Sequence, residues 1–162
     1  MLAWQEIRNI ENSLKFFLDT EVVTDGVTDI KGTGVPIRIG RKNDDNWTLP
    51  CIAVYCESET DPRSFIGSNR RIVTYLIQIE IYATNEGERQ DLAKWVTDTI
   101  NDGWRYYTYV PNLSDPDNPT KTASGWARID FLINTRVNLG QTVDLVDSHR
   151  HRISINVQIA GS

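Results

Sequence analysis

Along residues 73–83 the odd positions read Val73, Tyr75, Ile77, Ile79, Ile81 and Ala83, while the even ones include Thr74, Gln78 and Glu80. A period of two is the signature of a strand with one buried face. The phase breaks at residues 84–87, where Asn85 and Gly87 are turn formers. The next apolar positions, Leu92, Trp95, Val96 and Ile100, are spaced like one stripe of a helix. The centre of the chain therefore predicts a long strand feeding an amphipathic helix that folds back onto the sheet.

The same two periods organise both ends. In residues 2–18, Ile7, Ile10, Leu14, Phe17 and Leu18 recur at helical spacing, with Glu6, Arg8, Glu11, Asn12 and Lys15 on the other side. The balance of acids and bases there favours a helix covering a sheet over one lying on a membrane surface. In residues 127–139 the odd positions Ala127, Ile129, Phe131, Ile133, Thr135, Val137 and Leu139 alternate with Arg128, Asp130, Asn134, Arg136 and Asn138. Ile153, Ile155, Val157 and Ile159 repeat the scheme, and residues 140–148 make the turn between the two strands. Shorter strands are predicted at 35–39 and 49–55, each with a proline near its start, where a strand tolerates one. Arg105-Tyr106-Tyr107-Thr108-Tyr109-Val110 reads as a short aromatic strand or an extended helix end, packed rather than stacking on bases. The expected fold is α+β: a single domain over residues 1–162, with a mostly antiparallel sheet. One face is apolar and roofed by the N-terminal and central helices, and the other is polar.

Four stretches interrupt these patterns. Val22-Val23 and Val27-Thr28 flank Asp25-Gly26, a pair suited to a hairpin turn. Lys31-Gly32-Thr33-Gly34 lacks the lysine of a phosphate loop and precedes a strand instead of a helix, so it reads as a bend. Residues 57–69 are polar except for Phe65 and Ile66, a large apolar pair of the kind that is buried on a partner. Residues 111–125 hold Pro111, Pro116 and Pro119 and no large apolar residue after Leu113 until the next strand, and are expected to form a projecting surface loop. The candidate contact residues on these last two loops are Arg63, Phe65, Ile66 and Arg70, and Leu113, Asp115 and Asp117.

Length and aromatic content are sufficient for an ordinary core: the chain has 162 residues, with five Trp and six Tyr. A net charge of −5 argues against a surface that grips nucleic acid along its backbone. The start, Met1-Leu2-Ala3-Trp4-Gln5-Glu6, has no basic region followed by an apolar run, so no signal peptide is expected. No run is long enough to span a bilayer, and a soluble cytoplasmic product is expected. Cys51 and Cys56 have opposite parity in an extended run and lie too far apart to bridge, so they read as small apolar residues.

Catalytic chemistry is sparse. No G-x-S-x-G or C-x-x-C occurs, while acid pairs distant along the chain stay open. Asp147, His149 and His151 alternate on a strand and would share a face, the one arrangement suited to a metal ion, although Arg150 and Arg152 beside them oppose a cation. The expectation is no enzyme, no cofactor and no metal, with a small metal-dependent enzyme using these three residues as the contrary reading.

The element order carries a resemblance. A proline-led strand ends in Ile52-Ala53-Val54-Tyr55, and the long strand reads Arg71-Ile72-Val73-Thr74-Tyr75-Leu76-Ile77-Gln78-Ile79-Glu80-Ile81-Tyr82-Ala83. Glu88-Arg89-Gln90-Asp91-Leu92-Ala93-Lys94-Trp95 starts a helix, and His151-Arg152-Ile153-Ser154-Ile155-Asn156-Val157 closes the chain. Over nearly its whole length this resembles the tail terminator (tail completion) proteins of long-tailed bacteriophages. The resemblance implies a homo-oligomeric ring, commonly a hexamer, that caps the tail tube protein and offers a surface to the head-tail connector or neck protein, with DNA passing through the lumen without specific binding. It implies a place in the virion, at the tail or neck. A head-side neck or head-completion adaptor shares parts of the pattern.

Overall fold

The computed structural model describes residues 3–28, 32, 34–40, 47–60, 73–138 and 149–161. In chain order the elements are helix α1 (Ala3–Thr24), strands β1 (Ile37–Ile39), β2 (Cys51–Thr60) and β3 (Thr74–Tyr82), helix α2 (Glu86–Ile100), and strands β4 (Trp104–Val110), β5 (Thr120–Asn138) and β6 (His149–Gly161). The strands form one six-stranded sheet in the order β1-β2-β3-β6-β5-β4. β1 runs parallel to β2 and every other pair is antiparallel, so the expected α+β architecture is the observed one.

The period-two pattern of β3 sends Tyr75, Ile77, Ile79 and Ile81 into the core, where they meet Ile153, Ile155 and Val157 of β6 and Ile52 and Val54 of β2. Both helices cover this face: α1 contributes Ile10, Leu14, Leu18 and Val22, and α2 contributes Leu92, Ala93, Val96 and Ile100. Burying each of these larger side chains is worth roughly 1.5–3 kcal/mol relative to exposure. α2 begins where the strand phase breaks. Asn85 caps it by accepting the Glu88 N–H at 2.8 Å, and the Glu88 carboxylate reaches back to the Thr84 hydroxyl at 3.1 Å.

α1 runs beyond Leu18 to Thr24, and the Asp25-Gly26 pair is its terminus instead of a hairpin turn. Gly26 takes φ of 64°, and the Val27 N–H donates to Val22 O at 2.9 Å while the Gly26 N–H donates to Val23 O at 3.4 Å. This paired closure is the Schellman motif, with Val22 and Val27 both joining the core. The Asp-Gly signal was a genuine reversal, but it follows a helix. Thr28 then forms an isolated antiparallel bridge with Gly34; of the segment expected as a bend, Gly32 and Gly34 are described, and Lys31 and Thr33 lie outside the described residues.

The sheet curls, and α1 lies in the opening between its two sides. Asn9 Oδ1 accepts the Tyr109 N–H of edge strand β4 at 3.0 Å. Ser13 Oγ accepts the Tyr107 N–H at 2.9 Å and donates to the Tyr107 carbonyl at 3.1 Å. On the far side, Glu11 Oε1 accepts the Cys56 N–H of β2 at 2.7 Å, beyond the point where β1 ends. Asn9 and Ser13 are buried, which a polar pair sustains only because its bonds are made. Burial pushes the Glu11 carboxyl upward, against the opposing pull of the Cys56 N–H and the Arg8 charge. Phe16 meets Tyr107 edge to face at 5.6 Å, and Lys121 sits over both rings.

The other departure from sequence expectation is in β5. Residues 120–125 pair with β4, so the connector between these strands is 111–119 and not 111–125. A bulge between Ile129 and Phe131 then shifts the register against β6. Ala127 and Ile129 face the core, but past the bulge Leu132 lies opposite Ile155 and Asn134 opposite Ile153, while Phe131 and Ile133 turn to the face away from the helices. The alternation expected to hold across 127–139 therefore reverses at Asp130.

Replacing Ser13 by Ala leaves both backbone groups of Tyr107 without their partner in a buried setting. We expect a loss on the order of 1–3 kcal/mol in urea unfolding, and an unchanged midpoint would show that water reaches this edge.

Candidate interface on the open face of the sheet

The face of the sheet opposite the helices is polar, as expected, but its centre is closed to water. Its rows follow from the register: Ala53, Glu80, Arg152 and Thr135 lie side by side, then Tyr55, Gln78, Ser154 and Ile133, then Leu76, Asn156 and Phe131. Glu80 is only 3% exposed. Its Oε1 accepts from Arg152 Nη2 at 2.7 Å and Nε at 3.0 Å, and from the Tyr55 hydroxyl at 3.2 Å. Its Oε2 accepts from the Tyr82 hydroxyl at 2.6 Å. Arg150 Nε approaches Oε1 at 3.1 Å, within ion-pair distance but off the line of a hydrogen bond. Burial by itself would raise the Glu80 carboxyl. The Tyr82 and Arg152 hydrogen bonds and the charges of Arg150 and Arg152 outweigh it, and the group is held below its ordinary value of 4.5.

Around this centre the rows extend the polar network. Ser154 Oγ donates to Gln78 Oε1 at 2.7 Å, and Gln78 Nε2 donates to Glu57 Oε2 at 2.7 Å. Cys51, Ala53 and Tyr82 form a small apolar cluster beside it, with Trp47 and Leu49 packed against them. At the β5 side of the face the character changes: Phe131 is 55% exposed and Ile133 is 42% exposed. Sequence reasoning placed both in the core. The run Phe131-Leu132-Ile133 was the available warning, since three consecutive apolar residues in a strand must show one face a different environment.

The sequence-derived candidates divide sharply. Arg63, Phe65, Ile66 and Arg70 lie outside the described residues. Leu113, Asp115 and Asp117 sit together on the connector between β4 and β5. The Asn118 N–H donates to the Asp115 carbonyl at 3.1 Å, Asn118 Nδ2 donates to the Asp115 carboxylate at 2.8 Å, and the Ser114 N–H donates to Asn112 Oδ1 at 3.0 Å. These bonds fix a turn whose apex carries Leu113, 96% exposed. Pro111, Pro116 and Pro119 face back toward α1 and line, with Arg8, Asn12 and Tyr109, a cleft of about 230 Å³. Burial and the neighbouring Tyr107 push the Tyr109 phenol up to about 12, so its hydroxyl stays protonated and donates to Asn12 O at 3.4 Å.

The contrary reading, a metal held by Asp147, His149 and His151, can be followed only at His151, because Asp147 and the side chain of His149 lie outside what the structure describes. His151 shares the parity of Ile153, so it is buried on the helix-covered side with Nδ1 3.4 Å from Asn134 Oδ1. Among the described residues no three His, Cys, Asp or Glu side chains are placed to hold an ion. Cys51 is buried and Cys56 half-buried. No helix among the described residues is long and apolar enough to cross a membrane. No protein-family model and no curated protein matches the chain.

Replacing Glu80 by Gln leaves two arginines facing a neutral amide in a largely buried site, and a loss on the order of 3 kcal/mol is expected. The pH dependence carries the same signature. Because the folded-state value of Glu80 is depressed, its contribution is complete above pH 4.5 and is lost as pH falls toward that lower value. Acid titration of stability should therefore be shallower in the Gln variant than in wild type; identical slopes would exclude the network as the source.

Proposed function

We propose that the chain is a structural virion protein, a tail terminator that assembles as a ring of six copies on the last ring of the tail tube and joins it to the head connector. The observation that carries this reading is the hairpin apex. Leu113 stands almost fully in water on a turn held by its own hydrogen bonds, flanked by Asp115 and Asp117. An ordered apolar side chain on a connector that also carries two acids suits insertion into a pocket on a partner, because the turn is already fixed and little ordering entropy is lost on docking.

Other features agree with a role in assembly. The order of helix, paired strands, long strand, helix and closing strands is the one on which the resemblance to tail terminators rests. A ring through which DNA passes gains from a surface that does not hold phosphate, and a chain of net charge −5 has that character. Closure into a ring needs a heterologous contact that repeats by rotation. The subunit would then work by shape, with its sheet as the rigid frame for the hairpin and the loops beside it.

Mixing the purified protein with tail tubes tests the reading directly. Electron microscopy should show caps on tube ends, and Leu113→Asp should weaken capping on the order of 10-fold or more while leaving the unfolding curve unchanged. Binding to head connectors with no binding to tubes would assign the chain to the head side of the neck instead.

A further inference from the structure

The sheet protects its edges unevenly. β1 is only three residues long, β4 is bonded by Asn9 and Ser13, and β2 beyond β1 is bonded by Glu11. Short strands and covering side chains are the usual devices against pairing between molecules. β5 is treated differently. β4 lies beside it only as far as Ala127, whereas β6 accompanies it to Asn138. Over residues 128–138 the side of β5 away from β6 has no strand beside it among the described residues, and the described side chains on it include Phe131 and Ile133, both well exposed.

The sequence of this edge is complementary to itself. Two antiparallel strands related by a two-fold axis must place one residue opposite its own copy. Centring that axis on Ile133 pairs residues 130–136 of one copy with residues 136–130 of the other, the length past the bulge. It sets Asp130 against position 136, an arginine, on both sides of the axis, and Phe131 against Thr135. Shifting the centre to Leu132 would set Asp130 against Asn134 and lose that pairing of opposite charges. Charge thus selects one register. In it, Phe131 and Ile133 of both copies lie on the same face and form one apolar band across the junction, next to Ser154 and Asn156.

We infer that a second copy of this chain occupies the open edge of β5, pairing β5 with β5 about a two-fold axis at Ile133 to make a continuous sheet. The contact goes beyond the proposed ring, since a two-fold junction closes after two copies and does not propagate around a rotation axis.

Light scattering on the purified chain at micromolar concentration should give twice the mass of one chain. Ile133→Lys places like charges face to face at the axis and should raise the dimer Kd on the order of 100-fold. Asp130→Arg should weaken the dimer, and adding Arg136→Asp should restore it, a recovery that loss of folding or of a nonspecific greasy patch would not give. Opposed residues in such a pair have Cα atoms about 4.5–5.5 Å apart, within disulfide reach. In a Cys56→Ser background, Ile133→Cys should therefore cross-link two chains under mild oxidation, and Arg128→Cys should not. A single-chain mass at every concentration, a dimer indifferent to Ile133→Lys, or failure of the charge swap to restore it would overturn the pairing. A six-copy particle that tolerates Ile133→Lys would do so while supporting the ring. A dimer that obeys these substitutions but leaves tail tubes uncapped would stand without the ring.

Discussion

Three polar side chains on α1 set the form of this molecule by bonding to backbone that would otherwise face water at the edges of a curled sheet. Asn9 and Ser13 take the outward groups of Tyr109 and Tyr107 on β4, and Glu11 takes the Cys56 N–H on β2. A curled sheet closes into a barrel only when its edge strands meet, and here a helix stands between them. The apolar stripe Ile10, Leu14 and Leu18 runs down the same helix into the core. One element therefore supplies both the hydrophobic filling and the hydrogen bonds that end the sheet. Helical geometry permits this because positions 9, 13 and 16 share one flank, position 11 lies on another, and 10, 14 and 18 run between them.

The opposite face solves a different problem. Glu80 is a carboxylate in the most buried strand, and its desolvation is offset by two hydroxyls and two guanidinium groups drawn from its own strand and the two beside it. A buried ion pair of this kind adds little to net stability compared with an apolar substitute. Its consequence is positional. Tyr82 shares the strand of Glu80, but Tyr55, Arg150 and Arg152 reach the carboxylate only when β2, β3 and β6 are in the observed register, because a slip of one residue sends each to the other face. The network and the apolar face thus specify the same alignment independently.

These two faces leave the molecule with features on its margins that its own core does not use. The hairpin apex projects Leu113 on a turn fixed by Asn112, Asp115 and Asn118, and the bulge at Asp130 turns Phe131 and Ile133 outward on a long strand with an open side. Both lie on the β4–β5 side of the sheet, away from β1, so surfaces for unlike partners and for a second copy need not compete with the packing under the helices.

Much of the architecture was legible in the residues alone. The odd positions of β3 and β6, the helical stripes of α1 and α2, and the Asn85 cap follow from periodicity and local hydrogen bonding, which act over a few neighbours. Those properties determined the elements, the α+β class and the apolar face. The tertiary structure decided three matters that depend on residues distant along the chain. Asp25-Gly26 ends a helix because Val22 and Val27 find a common core, and no local rule separates that turn from a hairpin. The phase of β5 reverses because its pairing with β6 absorbs an extra residue at Asp130, so Phe131 and Ile133 exchange burial for exposure. Glu80 became a buried centre, and not a solvated strand residue, because Arg152 and Tyr55 are brought to it by strands paired on either side. Periodicity states which residues share a face; only the partners assembled around a strand determine whether that face meets water.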